Sequence, residues 1–227
     1  MKQMKAVIFD MDGVISNTVP LHYETNVRLA NSLDVDFSHE WNQALQGLSR
    51  RKTVDAIIEK SSFTFTEEEI VEICAKKNTH YQALITQLTA EDAQPGIQRF
   101  IKDLAAQKIP MVVASASQNA RLVLTQLELI DYFEGVVDVT KLKRGKPDPE
   151  IFLKAAEHIN VYPSECVAIE DGEAGLSAIL QTEMFSVGVG HEPFLKKADF
   201  YIDSTERLTI ESLEVALNLH NKTLYSF

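Results

Sequence analysis

Cysteine is scarce in this chain. Only Cys74 and Cys166 are present, far apart and outside any C-x-x-C pair, so both read as reduced thiols rather than as a disulfide or a thiolate metal site. No apolar run approaches the roughly 20 residues that a membrane-crossing helix needs. The opening MKQMK leads straight into a strand-like run and leaves no room for the apolar segment of a secretory signal, so a cytoplasmic protein is expected. Basic residues are also in short supply: 22 Lys and Arg stand against 33 Asp and Glu, a formal net charge of -11. That deficit argues against non-specific binding to nucleic acid or to an anionic membrane, both of which need clustered cations. It leaves room for a phosphorylated small molecule, because a few local cations and a metal ion make a positive pocket on an acidic protein. No internal repeat or low-complexity tract stands out.

What is there suits a folded globular protein. The 227 residues are 45% hydrophobic and 24% charged, enough for one large domain or two smaller ones. Ala6 to Phe9 reads as a buried strand. From about residue 17 to 90 helical spacing dominates, giving three or four helices and no convincing strand. Ser49 is placed to cap one helix, and Thr66 with Glu69 has the spacing of a capping box over an acidic first turn. The texture then changes. Helices at PGIQRFIKDLAAQK, NARLVLTQLEL, DPEIFLKAAEHIN, GEAGLSAILQT and LTIESLEVALNLH alternate with strands at PMVVAS, GVVDV, CVAIED, MFSVGVG and ADFYID. Asp148 is expected at an N-cap with Pro149 at the first helical position. This alternation argues for a parallel, helix-flanked sheet, and apolar runs without period-2 alternation suit strands buried on both faces. The first strand then joins the sheet of the second half, and the helical stretch is an insertion over the sheet edge. Its junctions fall near Ile15 to Val19 and in the loop-like AEDAQPG, Glu91 to Gly96.

Ligands of an open parallel sheet bind beyond the carboxyl ends of its strands. The strand AVIF ends in Asp10, Asp12 and Gly13, MVVA ends in Ser115, Ala116 and Ser117, CVAI ends in Glu170 and Asp171, and Lys146 lies in RGKPDP before a helix. Taken singly, each has a plain structural reading. D-x-D-G occurs in turns and calcium loops, Ser115 and Ser117 are helix N-cap types, an isolated lysine is usually solvated, and Glu170-Asp171 suits a helix start. Together, each at the ligand-binding end of its element, they read as a site. Asp10, Glu170 and Asp171 are hard oxygen ligands for Mg²⁺. Ser115 and the N–H groups after it suit phosphate oxygens, and Lys146 supplies fixed positive charge. Asp10 is then free to attack phosphorus, and Asp12 to move a proton. Gly13 allows a tight turn after the strand.

These motifs, in this order, resemble the haloacid dehalogenase superfamily: FDMDGV, VVASAS, RGKPDP and AIEDGEAG match its D-x-D-G, Ser/Thr, Lys and paired acidic signatures. The likeness covers essentially the whole chain. It implies an α/β fold in which a Rossmann-like parallel-sheet core, residues 1–16 and 92–227, carries an inserted all-helical cap domain, residues 17–91. The second aspartate of the first motif fits phosphatases and phosphomutases better than dehalogenases. The stretches NTVPLHYE, LQGLSRRKTV and AKKNTHYQ are similar to the branch that interconverts β-D-glucose 1-phosphate and glucose 6-phosphate. That likeness implies catalytic roles for Asp10, Asp12, Ser115 and Lys146, and one Mg²⁺ held by Asp10, Asp12, Glu170 and Asp171. It implies substrate contacts from Thr18, His22, Gly47, Arg50, Lys77, Asn78, Ala116, Ser117, Gln118 and Asn119. Glucose 1,6-bisphosphate would be the priming intermediate, a small sugar phosphate the partner, and a monomer the working form.

The cap residues also make physical sense, since a bisphosphate needs a second anion site. Arg50 in the first turn after Ser49 joins a guanidinium to a helix N-terminus. The plainer alternatives are a solvated Arg50-Arg51 pair, a solvent-facing Lys76 or Lys77, and a structural His22. Three positions depart from the mutase branch: Asn17 replaces an aspartate, Gln118 a lysine, and Asn26 a tryptophan near the sugar. The leading expectation is a phosphomutase. The alternative is a Mg²⁺-dependent sugar-phosphate phosphatase with a leakier cap. A non-catalytic sugar-phosphate sensor is disfavoured, because no catalytic position is missing.

Overall fold

The computed structural model describes residues 4–224, so residues 1–3 and 225–227 of the expected core lie outside it. Six strands form one parallel sheet: β1 (Ala6–Phe9), β2 (Met111–Val113), β3 (Gly135–Val136), β4 (Cys166–Glu170), β5 (Phe185–Val189) and β6 (Phe200–Ile202). Their spatial order is β3-β2-β1-β4-β5-β6. β1 lies in the middle, with Phe9 level with Val113 on one side and Ile169 on the other. The strand order reverses at β1, so the crevice for a ligand opens beyond its carboxyl end.

Alternation along β1 divides its side chains between two cores. Val7 and Phe9 pack with Phe100, Ile101 and Leu104 of α5 (Ile97–Ala106), Val123 of α6 (Ala120–Gln126), and Leu213 and Leu217 of α9 (Ile210–Leu224). Ala6 and Ile8 face the other way, onto Ile151, Phe152 and Ala155 of α7 (Glu150–His158) and Ile179 of α8 (Glu173–Ile179). Both faces are covered, which is why the apolar runs show no polar alternation.

Between β1 and β2 the chain forms α1 (Val19–Ser32), α2 (His39–Ala44), α3 (Arg50–Ile58) and α4 (Glu67–Ile85). Ala30, Leu33, Val35 and Ile57 close a small core of their own with Phe37, Trp41 and Phe65. The C-terminal end of α4 joins the main core through Tyr81 and Ile85. The Ser49 hydroxyl accepts the Lys52 N–H, and Thr66 with Glu69 forms the expected capping box. Two expectations shift. GVVDV keeps only Gly135–Val136 as strand, because its one neighbour in the sheet, β2, is itself three residues long. The helix after Asp148 begins at Glu150, one residue late: Pro149 takes the cap position, and the Asp148 carboxylate accepts the Glu150 N–H at 3.0 Å. Among the described residues both cysteines are free, and no helix is long and apolar enough to cross a membrane.

Candidate active site

Asp10, Glu170 and Asp171 converge at the carboxyl ends of β1 and β4, with one oxygen from each within 4.8 Å of the others. Lys146 reaches them from the loop before α7. Its buried ammonium donates to Asp10 Oδ1 and, at 2.7 Å, to Glu170 Oε2. Glu170 Oε1 accepts the N–H groups of Asp171 at 3.2 Å and Gly172 at 3.0 Å. Gly13 is required here: its φ is +95°, and a Cβ would run into the Asp171 carboxylate.

One lysine does not balance three clustered carboxyls, of which Asp10 and Glu170 are buried and Asp171 partly so. Burial and the neighbouring Glu170 push Asp10 up to about 8 despite Lys146. Burial, Glu170 and Asp10 likewise raise Asp171 well above the usual carboxylate range. Burial works against the charge on Lys146, but its two carboxylate partners prevail and hold it protonated. Asp171 Oδ1 is buried without a hydrogen-bond partner. Excess buried carboxylate, an oxygen-only donor set and an orphaned oxygen together fit a hard divalent cation such as Mg²⁺.

Asp12, expected among the metal ligands, turns its carboxylate away from this group. Its Oδ1 accepts from the Thr18 hydroxyl, lies 3.3 Å from His22 Nε2, and accepts from the Tyr81 hydroxyl at 3.4 Å. The His22 and Tyr81 rings stack with centroids 4.2 Å apart. Burial opposes its charge, but His22 and the Thr18 hydrogen bond keep the Asp12 carboxyl below the usual range. Two carboxylates separated by one residue thus sit in opposite environments, the pattern of an acid–base pair divided by role.

A cavity of about 410 Å³ lies between this cluster and the helices α1 to α4. Its wall includes Asp10, Asp12, His22, Gly47, Arg50, Lys77, Ala116, Ser117, Gln118, Asn119, Lys146, Glu170 and Asp171. Burial, then the nearby Arg50, lowers the Lys77 ammonium to about 8, and burial lowers Arg50 as well. Three of the expected contacts stand elsewhere. Ser115 is fully buried behind the wall, its Oγ accepting the Ser117 N–H at 3.0 Å. Thr18 is spent on Asp12. Asn78 is not part of the cavity wall; its carboxamide oxygen accepts from Asn119 at 2.8 Å, while Asn119 Oδ1 accepts from Gln82 at 3.0 Å.

Sequence reasoning missed several residues that the fold brings in. Tyr81 lies four residues after Lys77, on the same face of α4, so helical spacing would have pointed to it. Gln46 donates to Asp171 Oδ2 and Lys52 Nζ donates to the Lys146 carbonyl at 3.5 Å, and two residues that the sequence did place in the site, Arg50 and Gln118, pair with each other, Arg50 donating to Gln118 Oε1 at 3.4 Å. No local pattern marks those pairings, which join segments far apart in the chain.

The haloacid dehalogenase-like hydrolase family matches residues 4–181 of the 227. The chain belongs to that family. The chain is similar to a β-phosphoglucomutase of Bacillus subtilis (strain 168), 43% identical over 212 residues that span 92% of this chain and 94% of that protein. The crystal structure of a β-phosphoglucomutase from Clostridium difficile superimposes with a TM-score of 0.92 at 39% identity, covering 98% of this chain and 99% of that one. A phosphorylated carbohydrates phosphatase of Thermotoga maritima is 30% identical over 179 residues, 77% of this chain and 80% of its own length.

Proposed function

We propose that this chain acts as a β-phosphoglucomutase, a cytoplasmic monomer that interconverts β-D-glucose 1-phosphate and glucose 6-phosphate with Mg²⁺ and glucose 1,6-bisphosphate. One observation carries the reading. Arg50 and Lys77 of the helical insertion line the same cavity as Asp10, Glu170 and Asp171 of the sheet, so one space joins a cationic region to carboxylates that, with Mg²⁺ and Lys146, would hold a second phosphate. A sugar bisphosphate needs such a pair of anion sites. The resemblance to mutases across nearly the whole chain supports it.

In this mechanism Asp10 carries the phosphoryl group. The 6-hydroxyl of glucose 1-phosphate gives its proton to Asp12, which Thr18 and His22 keep ionised for that purpose. The O6–P bond forms as the bond from phosphorus to Asp10 breaks. The bisphosphate then presents its other end. Asp10 attacks the 1-phosphate phosphorus, the P–O1 bond breaks, and Asp12 returns the proton to O1. Lys146 holds the carboxylate of Asp10 in line and offsets phosphoryl charge as it spreads. Asp10, Glu170 and Asp171 would hold Mg²⁺, which supplies charge neutralisation between carboxylates and phosphate. The contacts of Gln46, Asn78, Gln82 and Arg50 with sheet-side residues support a cap that shuts out water, without which an aspartyl-phosphate hydrolyses.

The test is incubation with Mg²⁺, β-glucose 1-phosphate and a trace of glucose 1,6-bisphosphate, followed by ³¹P NMR. Glucose 6-phosphate is expected to accumulate with little inorganic phosphate. Inorganic phosphate appearing as fast as substrate disappears would replace the mutase by a sugar-phosphate phosphatase, the activity named for the Thermotoga relative.

A further inference from the structure

Thr18, His22 and Asn26 follow one another at four-residue spacing from the cap of α1 inward, so they share one face. Thr18 and His22 serve Asp12. Asn26 has no such task. It is only 4% exposed, lines the cavity, and spends its Nδ2 on Asn42 Oδ1 at 2.9 Å. Its Oδ1 has no partner among the described residues. Asn42 also lines the cavity, from α2, and is itself buried.

A buried carboxamide oxygen left unpaired costs free energy that an apolar side chain at the same place would not. Two buried asparagines fixing one another make sense if the spare oxygen finds a donor when the cavity fills. Among the described residues no cation or hydroxyl pairs with it, and an acceptor would not favour a phosphate, whose oxygens are acceptors too. The donor it suits is a neutral O–H.

We propose that Asn26 is a specificity-determining residue: its Oδ1 accepts a hydrogen bond from one ring hydroxyl of the bound sugar, and Asn42 is a positioning residue that locks the carboxamide in that orientation. The inference rests on the sugar-phosphate reading of the cavity. It adds how the sugar, rather than its phosphates, is read. A site built to pair with a hydroxyl rejects the analogue that lacks it much more strongly than an apolar wall does, because the buried polar group is then left unpaired.

The experiment compares the parent chain with Asn26→Leu and Asn42→Leu on β-glucose 1-phosphate and on its 2-, 3- and 4-deoxy analogues. Turnover of acetyl phosphate, which has no ring hydroxyl, is the control for the Asp10 chemistry. In the parent, one deoxy analogue is expected to lose roughly tenfold to a hundredfold in kcat/KM. In Asn26→Leu the unmodified sugar should lose a similar factor, that one analogue should lose nothing further, and acetyl phosphate turnover should be unchanged. Asn42→Leu should narrow the same discrimination and no other. Should Asn26→Leu fail to fold, Asn26→Ala and Asn42→Leu carry the same comparison. If every variant keeps the parent's discrimination at all three positions, or loses acetyl phosphate turnover in step with the sugar, the proposal is wrong. Release of inorganic phosphate without isomerisation would overturn the mutase reading alone, since the same ratios test Asn26 in a phosphatase. No turnover of any sugar phosphate by the parent, with acetyl phosphate still consumed, would overturn both.

Discussion

Lys146→Met removes the ammonium that pairs with Asp10 and Glu170, two buried carboxyls, while keeping an apolar stem of similar length. The parent lysine is fully buried, 2.7 Å from Glu170 Oε2 and in contact with Asp10 Oδ1. Removing one partner of a buried ion pair costs about 3–5 kcal/mol, because the other charge is left uncompensated. For a chain of this length about 2–4 °C of melting temperature accompanies each kcal/mol, so the expected drop is roughly 6–20 °C in EDTA near pH 8. The pH dependence has a definite sign. Asp10 is raised to about 8 in the folded protein, so its contribution is fully present below the unfolded carboxyl pKa and fades as pH rises toward 8. Without Lys146 to lower it, Asp10 titrates higher still. At pH 5 a proton therefore takes the place of the missing ammonium, and the variant's deficit shrinks. Mg²⁺ should restore part of the loss, about 2.7 kcal/mol at a hundredfold excess over its dissociation constant. Thermal unfolding followed by circular dichroism, at pH 5 and pH 8 with EDTA or Mg²⁺, reads all of this. Equal midpoints for parent and variant at pH 8 in EDTA, or a larger deficit at pH 5 than at pH 8, would refute the charge argument.

Gly13→Ala forces a side chain into a φ of +95° and against the Asp171 carboxylate, so Mg²⁺ affinity should fall at least roughly tenfold, which titration of activity with Mg²⁺ will show. Lys77, lowered to about 8 by burial and Arg50, is charged below that pH and neutral above it. The KM for a sugar phosphate should therefore rise between pH 7 and 9, while Lys77→Gln should have a higher KM that stays flat over that range. The same lysine makes the fold more stable as pH climbs from about 8 toward 10, because the unfolded chain still holds the proton there. Thr18→Val deletes a hydrogen bond that keeps Asp12 ionised, so the acid limb of the kcat–pH profile should move up by roughly one unit with little change in KM, and Thr18→Ser should restore it.

The chemistry of the sheet was legible because it is encoded over short distances. A buried apolar run followed by a carboxylate states both a strand and what stands at its end, and Asp10, Glu170 and Lys146 meet where that logic puts them. The same logic fails just past the strand. Asp10 and Asp12 would share one direction if β1 ran on, but the chain turns at Gly13 and Asp12 bridges to Ser16, which carries its carboxylate from the metal group to Thr18. Ser115 shows a related limit: a strand end marks the turn, and only the turn's own hydrogen bond shows that Ser115 Oγ accepts the Ser117 N–H there while Ser117 lines the cavity. The cap is another case. Ser49 announced Arg50 locally, yet the partners that give cap residues meaning lie 69 positions away for Tyr81 and Asp12, and 125 for Gln46 and Asp171. Asn26 shows the limit most clearly. In the sequence it is a departure at one position. Only with Asn42, 16 residues on and from another helix, does it become a fixed carboxamide with one oxygen to spare. In the proposed mechanism, bond making therefore rests on residues that a short window reveals, and in the proposal for Asn26 choice of sugar rests on a pair that only the folded cap assembles. Relatives that keep the first while varying the second are expected to share the phosphoryl chemistry and differ in what they accept.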